Sequence, residues 1–159
     1  MKLDADVLIA TAEILSHAGG FSLEPFSQPF EDWAHSVSLP NDLFEFFRFH
    51  APQGELWAGA GALFTERDIQ HVNLTFPEAL QNRLLILGSA ANGDHIALDT
   101  ESGVVGYISH EDEWRDHPRD YFVAVSPSLG IYLRDINADE AIVPNDYWEA
   151  KRNGAEISN

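Results

Sequence analysis

The chain has no cysteine and no long apolar run, and both absences narrow what it can be. Without cysteine among its 159 residues, it can form no disulfide, thiolate metal site or cysteine nucleophile. No uninterrupted apolar run approaches the ~20 residues that a membrane-spanning helix needs. The N-terminal segment is acidic where a signal peptide would be basic. We therefore expect a cytoplasmic protein that has no membrane partner.

Positive charge is also scarce. The 9 Lys and Arg residues face 26 Asp and Glu residues, which gives a formal net charge of −17. Residues 1–80 carry a net charge of −9 and residues 81–159 carry −8, so the acidity is not confined to a tail. Such a field repels DNA and RNA and speeds the encounter with a basic protein. We expect a basic protein partner and no direct binding of nucleic acid, although acidity that serves only solubility is the alternative.

The clearest structural signal lies between Leu84 and Ser109. Short apolar runs alternate there with turns rich in Gly, Asn, Asp and Ser, and Asn92-Gly93 is a typical two-residue hairpin signal. The pattern predicts an antiparallel meander at the centre of the fold. The predicted strands are Leu84–Leu87, His95–Leu98, Val104–Ile108 and, after a polar loop, Tyr121–Val125.

Apolar periodicity and capping residues predict helices on both sides of this meander. The first, Asp4–His17, has Val7, Ala10 and Ile14 on its predicted buried side, with Leu8 and Leu15 as further candidates. Residues 21–38 contain two prolines and several aromatic residues, and they indicate an irregular connection. Further helices are predicted from Asn41 or Asp42, from Thr65 to about Asn73, after Ser126-Pro127-Ser128 and over Asp146–Arg152.

Motifs for catalysis are present only in part. Gly88 and Gly93 have the spacing of a P-loop, but Asp94 and His95 stand where Lys and Ser or Thr belong. The turn Asp99–Gly103 has alternate oxygen ligands but lacks the bidentate Glu that closes a calcium loop. We expect no enzyme, cofactor or metal. A metal-dependent hydrolase is left as an alternative, because one polar loop holds His110, Asp112, Asp116 and His117.

A series of short motifs occupies roughly residues 38–136. In order, they are Leu39–Phe46, Leu63–Thr65 leading to Ile69, Leu85–Gly88, Gly93–Asp99, Gly103–Val105, Phe122–Ala124, Ser126–Leu129 and Tyr132-Leu133. Their order and spacing resemble the SUKH superfamily, which includes a yeast cell-wall-synthesis regulator and many bacterial immunity proteins. The family often has a longer insert where this chain has Gly59–Ala62.

The resemblance implies one α+β domain over residues 1–159, with a twisted, largely antiparallel sheet, helices packed around it and no catalytic centre. It also implies a non-enzymatic immunity protein that binds and neutralises a cognate toxin domain. The acidic composition favours a toxin with a basic surface, as a nuclease has. A regulatory scaffold of the cell-wall-regulator type is the alternative.

We predict that the toxin is bound by an acidic turn and an acidic loop, with one tryptophan as an aromatic anchor. Plain solvated loops are the alternative at each position. The predicted residues are Asp99, Glu101, Glu111, Asp112, Glu113, Trp114 and Asp116.

Overall fold

The structure, a computed structural model, describes residues 3–16, 21–58, 61–111, 114–138 and 144–154. It has the predicted α+β architecture in one domain, with helices packed around an antiparallel sheet. The strands are β1 (Ser22–Glu24), β2 (Ala51–Gln53), β3 (Leu56–Ala58), β4 (Gly61–Leu63), β5 (Leu84–Ala90), β6 (His95–Asp99), β7 (Val105–Ile108) and β8 (Phe122–Ser126). The helices are α1 (Ala5–Ser16), α2 (Gln28–Ser36), α3 (Asn41–His50), α4 (Glu66–Thr75), α5 (Pro77–Gln81), α6 (Leu129–Asn137) and α7 (Tyr147–Asn153).

The predicted meander forms the centre of the larger sheet, whose strand order is β3-β4-β5-β6-β7-β8. Because side chains alternate along a strand, β5 sends Leu85 and Leu87 to one face and Leu84 and Ile86 to the other. The first face packs against α1, α3 and α6 in the main apolar cluster. The second face is covered by a smaller cluster that includes Ala79 of α5 and Trp114. The sheet is therefore buried on both sides.

Gly88 sits inside β5 because two backbones approach closely there. A Cβ at this position would lie 2.2 Å from the carbonyl oxygen of Ala62 on β4. The pairing of β5 with β6 also shifts register between Ile86 and Gly88. The first glycine of the P-loop-like spacing thus serves strand packing.

β4 pairs only with the end of β5. On the same edge, a side chain forms hydrogen bonds with the backbone nearer the start of β5. Asn73 of α4 is buried, and its amide accepts from Ile86 N at 3.0 Å and donates to Ile86 O at 2.8 Å. One side-chain amide therefore replaces a neighbouring strand at this residue, which satisfies two buried backbone groups.

The β5–β6 connection differs from the predicted two-residue hairpin. Gly93 N donates to Ala90 O at 2.9 Å, which centres the turn on Ala91 and Asn92. Gly93 has a φ of 94°, whereas Asn92 is not among the residues with positive φ. The type I′ turn that is usual for Asn-Gly needs positive φ at both central residues, so Asn92-Gly93 does not form a two-residue turn, although β5 and β6 do form the predicted hairpin. The glycine instead provides the left-handed residue that follows the turn.

The predicted buried side of the first helix was confirmed for Leu8 and wrong for its three main residues. Leu8 and Ala12 are buried where α1 packs against the rest of the protein, including α6, and the side chain of Leu15 lies outside the described residues. Val7 is 37% exposed, Ile14 is 65% exposed and Ala10 is exposed as well. Both stripes recur with helical spacing, so periodicity alone could not choose between them.

Residues 21–38 are regular where an irregular connection was predicted. They contain β1, which pairs with β2, and α2, which has Pro29 in its first turn, where a missing N–H costs nothing. Ser27 N, at the start of α2, donates to both carboxylate oxygens of the buried Glu66, at 3.3 and 3.1 Å. Glu66 is 39 residues from Ser27 in the chain, so the sequence around α2 does not predict this contact.

The remaining helix predictions agree with the structure apart from details at the ends. Thr65 caps α4 through Asp68 N at 3.2 Å, Ser128 caps α6, and Asp146 caps α7. The side chain of Asn41 forms no cap on α3, because Pro40 is the N-cap residue. Two short elements were missed: α5, and a 3-10 turn over Pro118–Tyr121 within the predicted polar loop.

The start of α6 is tied to the beginning of the chain by Asp4. Its carboxylate accepts from Gly130 N at 3.0 Å, from Ile131 N at 3.2 Å and from the hydroxyl of Ser128. A carboxylate at a helix N-terminus is favourable because it complements the partial positive charge there. α1 is thereby fixed beside α6.

Candidate partner-binding surface

The predicted turn holds its acidic residues in a network with arginines. Asp99 is only 8% exposed, and its carboxylate receives hydrogen bonds from the two Nη atoms of Arg119 at 3.2 and 3.1 Å. It also accepts from Glu101 N at 3.0 Å and from Ser102 Oγ at 2.9 Å. Burial alone would raise the pKa of Asp99, but Arg119, Glu101 N and Ser102 outweigh it and hold that pKa below its ordinary value. Asp99 therefore stabilises its own turn.

Glu101, the second acidic residue of the turn, is exposed and lies between two arginines. It pairs with Arg83, and its other oxygen lies 3.5 Å from Arg119 Nη2. Asp99 and Glu101 thus face two positive charges, and this four-residue network has no net charge. The turn offers a partner much less negative charge than its sequence indicates.

The predicted loop separates into surface acids and a buried tryptophan. Glu111 and Asp116 are exposed and form no ion pair with a described residue. Asp112 and Glu113 lie outside the described residues. Trp114 is fully buried in the smaller cluster, so its ring is not a surface anchor for a partner. It fixes the loop to the sheet instead.

Two aromatic rings hold Trp114 in place. The ring of Phe76 lies 5.6 Å from it and the ring of His95 lies 5.7 Å from it, measured between centroids. Burial is the main reason that the pKa of His95 falls to about 4; nearby Asp94 raises it, whereas His110 and Arg115 lower it. His95 is therefore a neutral member of this cluster near pH 7.

Asp94, in the connection between β5 and β6, is a centre of hydrogen bonding. Asp94 is fully buried, and it accepts from His110 N at 2.8 Å, His110 Nδ1 at 2.7 Å, Asn92 Nδ2 at 2.7 Å and Tyr147 N at 2.8 Å. Burial would raise the pKa of Asp94, but the donors on Asn92, Tyr147 and His110 lower it below its ordinary value. One side chain thus joins the β5–β6 turn, the end of β7 and the start of α7.

The pairing of Asp94 with His110 was predictable in principle from the hairpin. His95 faces Ile108 in the β6–β7 register, so continuation of the hairpin places Asp94 opposite Ser109 and one residue away from His110. An Asp–His pair also occurs in hydrolytic triads, where the carboxylate orients the imidazole. Here Asp94 also accepts from the backbone N–H groups of His110 and Tyr147, so the same carboxylate joins separate segments of the chain.

The metal-dependent hydrolase was the alternative function, and the described residues contain no cluster of side chains that could bind its metal. No three His, Asp or Glu side chains lie close enough there to hold a metal ion. His110 is turned towards Asp94, and Asp112 lies outside the described residues. Within those residues, no helix is long and apolar enough to cross a membrane.

Among the predicted partner-binding residues that the structure describes, the exposed acids without an arginine partner are Glu111 and Asp116, in the loop after β7. Comparisons with protein-family models and with curated proteins found no match to this chain.

Proposed function

We propose that this protein is a non-enzymatic immunity protein of the SUKH type, which binds and neutralises a cognate toxin domain in the cytoplasm. The toxin domain is basic, as a nuclease is, and it needs neither a cofactor nor a metal from this chain. The resemblance in motif order supports the class of protein. The observation that carries the proposal is the exposed acidic loop around Glu111 and Asp116, which the buried Trp114 fixes to the sheet.

The loop has two properties that suit it to a basic partner. Its exposed carboxylates have no arginine partner among the described residues, unlike those of the β6–β7 turn. The ring of Trp114 is held by Phe76 and His95, so binding need not first order this part of the loop. Oriented acidic side chains on a rigid support can occupy a phosphate-binding surface.

The test is protection of cells from the toxin that a neighbouring gene encodes. Co-expression of this protein should restore growth. The triple variant Asp112→Lys, Glu113→Lys, Asp116→Lys should lose protection, and the affinity for the purified toxin domain should fall by at least tenfold, with a weaker dependence on salt. A matched triple variant, Asp6→Lys, Glu24→Lys, Asp32→Lys, changes the net charge equally at exposed positions elsewhere and should protect cells.

The outcomes separate the alternatives. If both triple variants bind like the wild type, the loop is not the interface. If the protein binds a neighbour's product tightly but protects no cell, the regulatory scaffold replaces the immunity protein. If no neighbouring toxin is bound at all, the proposed function is wrong.

A further inference from the structure

A groove runs along α1 on the side that faces α3. Its wider end has a volume of about 510 Å³ and an apolar lining that includes Ala5, Ile9, Phe46 and Phe49. Its other end, of about 300 Å³, lies towards β1. Ile9 and His50 line both parts, so the two parts adjoin, and together we call them the α1–α3 groove.

Carboxylates stand at both ends of the α1–α3 groove. Asp42 and Glu45 line the wider end, and Glu13 lines the other. Asp42 Oδ2 is buried without a hydrogen-bond partner in the described part of the chain. Glu45 pairs with Arg48 at 3.6 Å, but both side chains are more than half exposed, and such a pair contributes little. The groove therefore combines an apolar floor with negative ends.

An apolar side chain is left open at the rim of the groove. Phe49 is 55% exposed, and it belongs to the few large apolar residues on the described surface that are exposed to this degree. Exposed apolar surface beside a groove is typical of a binding site. A second copy of this chain is disfavoured as its occupant, since each copy carries a charge of −17.

We propose that the α1–α3 groove binds an amphipathic helix of a partner protein, with Lys or Arg residues flanking the apolar face of that helix. From Ala5 to Glu13 the groove follows α1 for about 12 Å, or slightly more than two helical turns. A helix of that length places an apolar stripe on the floor and a basic residue near each negative end. The groove lies against the main cluster, on the face of the sheet opposite to Trp114. The inference therefore does not depend on the proposed function.

The test uses a synthetic 14-residue helical peptide of leucine and lysine, labelled with fluorescein and capped at both ends. Fluorescence anisotropy should show saturable binding that weakens with salt, and amide chemical shifts should change within residues 3–16 and 41–50. A scrambled peptide of the same composition and a leucine–glutamate peptide should bind at least tenfold more weakly.

Variants of the groove provide the matched comparison. Phe49→Gln and Glu45→Lys alter exposed side chains that line the groove, and each should weaken binding of the leucine–lysine peptide about tenfold. Ile14→Gln, at an exposed position of α1 that does not line the groove, should change it less than twofold. Equal binding by all three variants, chemical-shift changes located mainly in residues 110–117, or no saturable binding would each overturn the proposal. A dimer of the free protein that Phe49→Gln dissociates would assign the groove to a second copy and would also overturn it.

Discussion

Two acidic residues at the ends of β6 and two in the loop after β7 have opposite surroundings. Asp94 and Asp99 are buried and accept hydrogen bonds from N–H groups, hydroxyls or arginines. Glu111 and Asp116, in the loop, are exposed and have no ion pair with a described residue. We call the first two the anchoring carboxylates and the other two the loop carboxylates. The comparison teaches that a net charge of −17 overstates the negative charge that a partner can meet.

Removal of an anchoring carboxylate should have the largest effect on stability. Asp94→Ala leaves four donors without their acceptor, so we expect the free energy of unfolding to fall by about 3–5 kcal/mol. Urea denaturation at pH 7 measures this. Asp116→Ala, in the loop, should change it by less than about 0.5 kcal/mol. Similar losses in the two variants would remove the distinction between the two groups.

The half-buried His95, next to Asp94, should make stability depend on pH. The pKa of His95 is lowered from 6.5 to about 4 in the folded protein, so the unfolded chain takes up a proton first as the pH falls. Its contribution is therefore complete above about pH 6.5 and is lost as the pH falls towards 4. Between pH 7.5 and 5 we expect a loss of about 2 kcal/mol, measured by urea denaturation at both values.

A variant that lacks the imidazole tests whether His95, and not Asp94 or Asp99, causes this pH dependence of stability. His95→Phe keeps an aromatic ring beside Phe76 and Trp114, and its stability should change much less over the same range. The lowered pKa values of Asp94 and Asp99 make their contributions fade only as the pH falls below about 4. An unchanged pH dependence in His95→Phe would contradict this assignment.

The smallest predicted effect concerns the arginine that neutralises the turn. Arg119→Ala removes two hydrogen bonds to the nearly buried Asp99, and because the Arg119 side chain is 41% exposed, we expect a loss of only about 1 kcal/mol. Arg48→Ala breaks an exposed pair with Glu45 and should cost less than about 0.5 kcal/mol. Equal losses in urea denaturation would show that burial of the acid does not matter.

The strands of the meander were predictable because the signals that form them are local. Apolar alternation and turn residues located β5 to β8 to within about three residues at each end. The caps at Thr65, Ser128 and Asp146 were also readable, since each cap bonds an amide three residues ahead.

Most structural features that the sequence did not indicate depend on contacts between residues that are far apart in the chain. The start of α2 depends on Glu66, and the buried side of α1 depends on its packing against α6. At the candidate surface, acidic residues and a tryptophan predicted a binding turn and a binding loop. Arg119 neutralises the turn, and Trp114 of the loop is buried against the sheet. Residue types show that acids are abundant, but only the tertiary contacts show which of them are already paired.

The most direct test of this division is hydrogen–deuterium exchange of the protein with and without the toxin domain that the proposed function predicts as its partner. We predict that binding slows amide exchange in residues 110–117 and leaves the turn from Asp99 to Val104 unchanged. Slower exchange confined to that turn, with none in the loop, would contradict the division of the acidic residues into anchoring and partner-binding groups.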